Sequence, residues 1–182
     1  SGGDPLTMPN RSLSWFLQEL AEIPHLEIVR IHTRMPIVIP ARLDAGLLEV
    51  LTRTRLKTVM VLHCNHAQEL CESLREACKP YLARGITLLN QAVLLKEIND
   101  EVETLKELSY RLISFGILPY YLHLLDKVQG AQHFLSEPKH LAKLLEDLHC
   151  ALPGYLVPRV VREVPGAAYK VPLYPATTTQ GF

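Results

Sequence analysis

The sequence has four cysteines but no CxxC and no CxxxCxxC, the spacings that wrap one metal ion or one iron–sulfur cluster. Cys64, Cys71, Cys78 and Cys150 read instead as reduced thiols packed as small hydrophobes, with Cys71 and Cys78 seven apart along one helix face. No disulfide is expected. No apolar run approaches the ~20 residues of a membrane span, and no basic-then-apolar leader opens the chain. The expectation is a cytoplasmic protein with no membrane partner. An excess of one charge is lacking too, because 19 Lys and Arg balance 19 Asp and Glu. No global field recommends nucleic acid. His63 and His66 form an HxxH, but no third ligand is specified, and no metal site is expected within the chain.

What is present is an ordinary globular composition, 48% hydrophobic and 21% charged over 182 residues, enough for one core. Strand-like runs start near 27, 58, 86 and 117, a period of about thirty residues, the length of one strand-plus-helix unit. The runs are Leu26 to Thr33, Lys57 to Leu62, Ile86 to Leu89 and Ile117 to Leu125. Helical patterns lie between and after them: Ser12 to Glu22 with Ser12 as cap, Asp44 to Thr52, Ala67 to Arg84 bent or broken near Pro80 and closed by Gly85, a helix capped by Asn99 or Asp100 and closed by Gly116, and Pro138 to Cys150. Pro36 and Pro40 predict an extended connection. Val157 to Val161 reads as an extended segment, and residues 175–182 as a disordered tail.

Each strand-like run leads into polar side chains: His32 with Arg34, His63 with Asn65 and His66, Asn90 with Gln91, and His123 with Asp126. In a parallel sheet these clusters gather on one edge and face one cleft, where α/β proteins place their chemistry. Lys170 follows a Pro-Gly-Ala-Ala turn. It is either a solvated surface amine or, held in an apolar loop, an imine-forming one. Glu163, seven residues earlier, is either one more surface acid or, with Asp126, half of a two-carboxylate pocket for a substrate ammonium. The Gly2-Gly3 turn offers backbone N–H groups to a ligand's polar end.

Four segments carry a family resemblance: Ser1-Gly-Gly-Asp-Pro-Leu6; Arg30-Ile-His-Thr-Arg34 with Pro36-Ile-Val-Ile-Pro-Ala-Arg42; Leu88-Leu-Asn-Gln91; and Pro119-Tyr-Tyr-Leu-His-Leu-Leu-Asp-Lys-Val-Gln-Gly130. In this order they resemble the lysine 2,3-aminomutase family of radical S-adenosylmethionine enzymes, and within it the bacterial branch that makes (R)-β-lysine for elongation factor P. The resemblance implies an α/β fold, a partial (β/α) barrel of the radical type with about four parallel strands in residues 1–152, followed by a C-terminal segment, 153–174, that carries the cofactor lysine. It implies Lys170 as the catalytic residue that attaches pyridoxal phosphate, and Asp126 and Glu163 as the acids that hold the ε-ammonium of L-lysine. The second acid is commonly Asp in the family. Gly2, Gly3 and Asp4 look like the segment that meets the methionyl end of S-adenosylmethionine, and His63, Asn90 and Gln91 like further cofactor neighbours.

One departure is large. The CxxxCxxC that holds the family's [4Fe–4S] cluster lies upstream of the Ser-Gly-Gly-Asp segment and is absent here. The chain therefore resembles the C-terminal half of such an enzyme, with the missing N-terminal half of the barrel as its partner and no radical activity expected of it alone. Assembly into a homo-oligomer is not specified by the sequence. Two other readings stand beside this one: a non-catalytic α/β module that binds a ligand or partner, and an aldolase-like barrel in which Lys170 forms a Schiff base without pyridoxal phosphate.

Overall fold

The computed structural model describes residues 3–125 and 138–174. Gly2, Asp126 and the tail 175–182 lie outside the described residues. One six-stranded sheet organises the chain: β1 (Ile28–Thr33), β2 (Lys57–His63), β3 (Thr87–Leu94), β4 (Leu118–Leu124), β5 (Arg159–Arg162) and β6 (Val171–Pro172), neighbours in that order. The first five are mutually parallel and β6 is antiparallel to β5. This confirms the parallel α/β order that the thirty-residue period predicts. It corrects the count of four strands, since β5 and β6, four and two residues long, are too short to carry a periodic signal.

The helices are α1 (Asn10–Ala21), α2 (Met35–Val38), α3 (Ala45–Thr52), α4 (Glu72–Ala83), α5 (Val102–Ser114) and α6 (Pro138–Ala151). Parallel strands taken in chain order return through right-handed crossovers, which leave the connecting helices on one face of the sheet. The core shows this directly. Ile31, Met60, Leu62, Leu88, Ala92, Leu94, Leu122 and Val160 join one cluster with the apolar stripes of the helices, among them Leu13, Leu47, Leu74, Leu108 and Leu144. The alternate strand residues, His32, His63, Gln91, Tyr121 and His123, stand outside that cluster.

Several local expectations change. The helix α1 begins at Asn10 with Pro9 as its cap, so Ser12 lies in its first turn. Where Pro36 and Pro40 predict extended chain, Pro36 falls in the first turn of α2 and Pro40 opens a 3-10 turn, positions where a missing N–H costs no helix bond. The chain from Ala67 to Arg84 breaks at Leu70 and Cys71, both extended, and Pro80 sits inside α4. Glu101 caps α5 in place of Asn99 or Asp100, whose side chains are engaged in the preceding loop. All four cysteines are free thiols. Cys64 and Cys78 are buried, which pushes each up to about 12, whereas Cys71 is exposed. Among the described residues no helix is long and apolar enough to cross a membrane.

Two helices end alike. Gly85 N donates to Leu82 O and Ile86 N to Tyr81 O; Gly116 N donates to Ile113 O and Ile117 N to Leu112 O. Both are Schellman closures with a left-handed glycine, at φ 77° and 75°. They turn α4 into β3 and α5 into β4 with a single residue between cap and apolar strand entry. A Cβ at Gly116 would stand 2.4 Å from Leu82 Cδ1, while one at Gly85 would meet nothing within 4 Å. We expect Gly116→Ala to destabilise the chain by about 1–3 kcal/mol, and by more than Gly85→Ala, as urea denaturation midpoints of the two variants would show.

Candidate active site

Register decides what shares the uncovered face. His63 pairs with Gln91, and Gln91 with Tyr121 across an irregularity at Asn90/Gln91, where Asn90 pairs with Pro119 and Tyr120 is the extra residue. Without that bulge Gln91 would meet Tyr120, and Tyr121 and His123 would turn toward the helices. With it, Tyr120 and Tyr121 lie together, ring centroids 3.9 Å apart, and Tyr121 meets His123 edge-on at 5.6 Å. Across β2, His32 Nδ1 and Gln91 Oε1 are 3.2 Å apart. His32, His63, Gln91, Tyr121 and His123 thus occupy one open, half-buried face.

Lys170 joins them from the far edge. It precedes β6, which returns antiparallel beside β5, and its Nζ donates to a Glu163 carboxylate oxygen while standing 5.9 Å from the centroid of the Tyr121 ring. That hydrogen bond, and then the charge of Lys170, hold the Glu163 carboxyl below the usual carboxylate range. Lys170 and Glu163 are therefore brought together, with Tyr121, a residue the sequence reading passes over. The signal was available: Tyr121 and His123 are two apart on a strand.

Other expected site residues are held by the protein frame. Asp4 Oδ1 accepts from Leu6 N at 2.9 Å and Thr33 Oγ1 at 2.7 Å, and Oδ2 from Arg34 N at 2.6 Å and Met35 N at 3.2 Å. Asp4 fixes its own segment over the end of β1, with the preceding Gly3 at φ 71°. Asn90 lies inside β3 rather than at its end, because the strand continues to Leu94. It is buried on the core side, accepting from Cys64 N at 3.0 Å and donating to Cys64 O at 2.9 Å. Glu69 accepts from Asn65 N, His66 N and Arg34 Nη2, tying the exits of β1 and β2. Gly2 and Asp126, as noted, fall outside the described residues.

On this face His63 keeps an unsatisfied polar atom. Its Nε2 is buried and has no hydrogen-bond partner among the described residues. Burial, then the Arg34 charge, pushes its pKa down; burial, then Arg30, does the same to His32. Both imidazoles are held neutral, able to donate or accept one hydrogen bond to a ligand. A cavity of about 600 Å³ lies elsewhere, before α5, lined by Lys96, Glu97, Asp100 and His140 among others. The candidate groups converge instead on the open face of the sheet.

Comparison with known proteins bears on this arrangement. No family model matches the chain. It is 46% identical over 173 residues to the L-lysine 2,3-aminomutase of Escherichia coli, covering 95% of this chain and 51% of that protein. The proteins of the same name from Haemophilus influenzae and Clostridium subterminale are 48% and 36% identical, over 93% and 96% of this chain and 50% and 42% of theirs. The chain belongs to the lysine 2,3-aminomutase family. It spans about half the length of the curated relatives it matches, on the C-terminal side of each. A solved structure of Streptococcus suis SuiB aligns with 86% of the chain and 44% of its own at a TM-score of 0.48 and 14% identity, a likeness too slight to carry weight.

The depressed pKa values of His32 and His63 have a stability consequence. Above the ordinary value of about 6.5 both folded and unfolded forms are neutral, and the folded state loses nothing. As pH falls below it the unfolded chain binds protons first, so stability drops until the folded pKa is passed. The urea midpoint should fall between pH 7 and pH 5, and His63→Gln should flatten that fall relative to the parent chain.

Proposed function

We propose that this chain is the C-terminal part of an L-lysine 2,3-aminomutase, an isomerase that converts L-α-lysine to β-lysine in the cytoplasm, with the product serving elongation factor P modification. The observation that carries the reading is the meeting of Lys170 and Glu163 beside Tyr121 and His123 on the uncovered face, in a chain whose curated relatives bear that name. The sheet is then part of a (β/α) barrel, its uncovered face the interior. The exposed edge strand β1, with Ile28 62% exposed at its start, is where the N-terminal half adds its strands. Residues 1–152 supply the barrel wall and 153–174 the lysine segment.

The residues present fit the cofactors that the family implies. Lys170 has an amine on an open face, its side chain 37% exposed, and is assigned the attachment of pyridoxal phosphate. His63, with a buried and unpartnered Nε2, and Gln91 on the same face are assigned to S-adenosylmethionine, with Gly2, Gly3, Asp4 and Asn90 shaping that end. When bound, pyridoxal phosphate carries the migrating amino group, and S-adenosylmethionine with its [4Fe–4S] cluster, held by cysteines outside this sequence, is the radical source. This chain's own task is positioning. Asp126 and Glu163 bind the ε-ammonium, Tyr121 and His123 wall the same end of the face, and the neutral imidazoles of His32 and His63 orient polar groups without adding positive charge beside Lys170.

Two outcomes test the reading in the complete enzyme. Borohydride reduction after pyridoxal 5′-phosphate loading should place the pyridoxyl group on Lys170 and nowhere else, by peptide mass mapping, and Lys170→Ala should abolish it. Asp126→Asn should lower kcat/KM for lysine by an amount corresponding to about 2–5 kcal/mol, the cost of leaving one side of a buried charge pair imperfectly matched, while the label on Lys170 persists. Near-parental kcat/KM in Asp126→Asn would remove lysine as the substrate.

A further inference from the structure

His32 Nδ1 and Gln91 Oε1 lie 3.2 Å apart on the uncovered face. Strand pairing does not set these two residues side by side: His32 stands opposite Val61, and Gln91 opposite His63. His32 therefore reaches from β1 over β2 to an amide on β3, and the contact has a direction. An amide oxygen can only accept, so the imidazole nitrogen carries the hydrogen. Burial, then the charge of Arg30, pushes the pKa of this ring down and keeps it neutral at pH 7, and a neutral imidazole has one N–H. That single hydrogen sits on Nδ1, although a histidine free in water carries it mainly on Nε2; the partner of one ring nitrogen decides the state of the other.

The bond fixes the amide as well as the ring. A glutamine on an open face with neither end engaged can turn its end group over, presenting oxygen in one orientation and nitrogen in the other. With Oε1 held by His32, Gln91 keeps its NH2 group for a ligand, and that nitrogen donates to no described residue. We propose that His32 is a positioning residue that acts through Gln91: as the Nδ1–H tautomer it locks the amide, so that Gln91 offers donors and selects a ligand with a hydrogen-bond acceptor at this place. The identity of that ligand as S-adenosylmethionine rests on the proposed function above; the locked amide rests on the hydrogen bond. Because the amide is already turned before binding, the ligand does not have to order it. Without His32 the ligand must itself turn and hold the amide, which lowers affinity without removing any group that touches it.

The first test reads the tautomer by NMR in the 182-residue chain, labelled with nitrogen-15 in its histidine rings. At pH 7 the His32 signals, assigned by their absence in His32→Asn, should show a protonated Nδ1 and an unprotonated Nε2. Gln91→Leu removes the acceptor, and His32 should then revert to the Nε2–H form. The Nε2–H form in the parent chain, or an unchanged Nδ1–H form in Gln91→Leu, overturns the proposal. The second test uses the complete enzyme and S-adenosylmethionine, with binding measured by calorimetry. His32→Asn keeps a side-chain N–H near the place of Nδ1 and should bind within about twofold of the parent, whereas His32→Leu should bind about three- to tenfold more weakly, the range of one neutral hydrogen bond. Equal affinities for His32→Asn and His32→Leu overturn the proposal as well; should His32→Leu fail to fold, the tautomer measurements decide alone. If S-adenosylmethionine binds none of these proteins while the tautomers are as stated, the proposed function fails and the locked amide stands.

Discussion

The hydrogen-bond ladder that holds β1 to β5 parallel and in chain order is the constraint from which the rest of this structure follows. Because side chains alternate along a strand, each ladder assigns alternate residues to opposite faces. Met60 and Leu62 go to the helices, Val61 and His63 to the opposite side, and the same parity carries to Leu88 and Asn90 against Leu89 and Gln91. Burying the leucine face draws all the large helices to one side. The histidines are left uncovered by the same event that forms the core.

The irregularity between β3 and β4 refines this rule at one point. Tyr120 is inserted without a partner, so two adjacent tyrosines lie together and the parity of the strand's second half is reset. Leu122 then reaches the core and His123 the open face. A one-residue device thereby reconciles an apolar core with a run of aromatic and imidazole groups beside Lys170, and it sits next to the residues of the proposed site, as bulges often do.

Polar residues near the strand exits divide into two kinds. Asp4, Asn90 and Glu69 have their side-chain oxygens engaged by backbone or guanidinium donors; they fix where the exits lie. His63 has a ring nitrogen still to satisfy, and the Glu163–Lys170 pair lies on the surface of the face with both side chains partly exposed. The first kind gives the second its geometry, which is how a rigid scaffold supports a site assembled from several strands.

The thirty-residue spacing of apolar runs by itself determined the parallel α/β order, because burial leaves a local periodic trace in strands and helices of ordinary length. Gly85 and Gly116 were legible as helix closures for the same reason, since a left-handed cap needs glycine at that position. The extended segment expected at Val157 to Val161 overlaps β5, but neither it nor β6 was countable as a strand, since pairing with distant partners rather than their own pattern holds them. Asn90 read as a strand-end ligand candidate, yet the three apolar or small residues after Gln91 extend β3 and turn Asn90 inward. Lys170 and Glu163 stood out only as two charged residues seven apart; that they meet, and that Tyr121 lies beside them, was decided by the antiparallel return of β6 along β5 and by the bulge at Tyr120. Sequence periodicity records which side of an element is buried. Which residues of different elements come within a few ångströms is set by long-range register, and only the tertiary structure decides that.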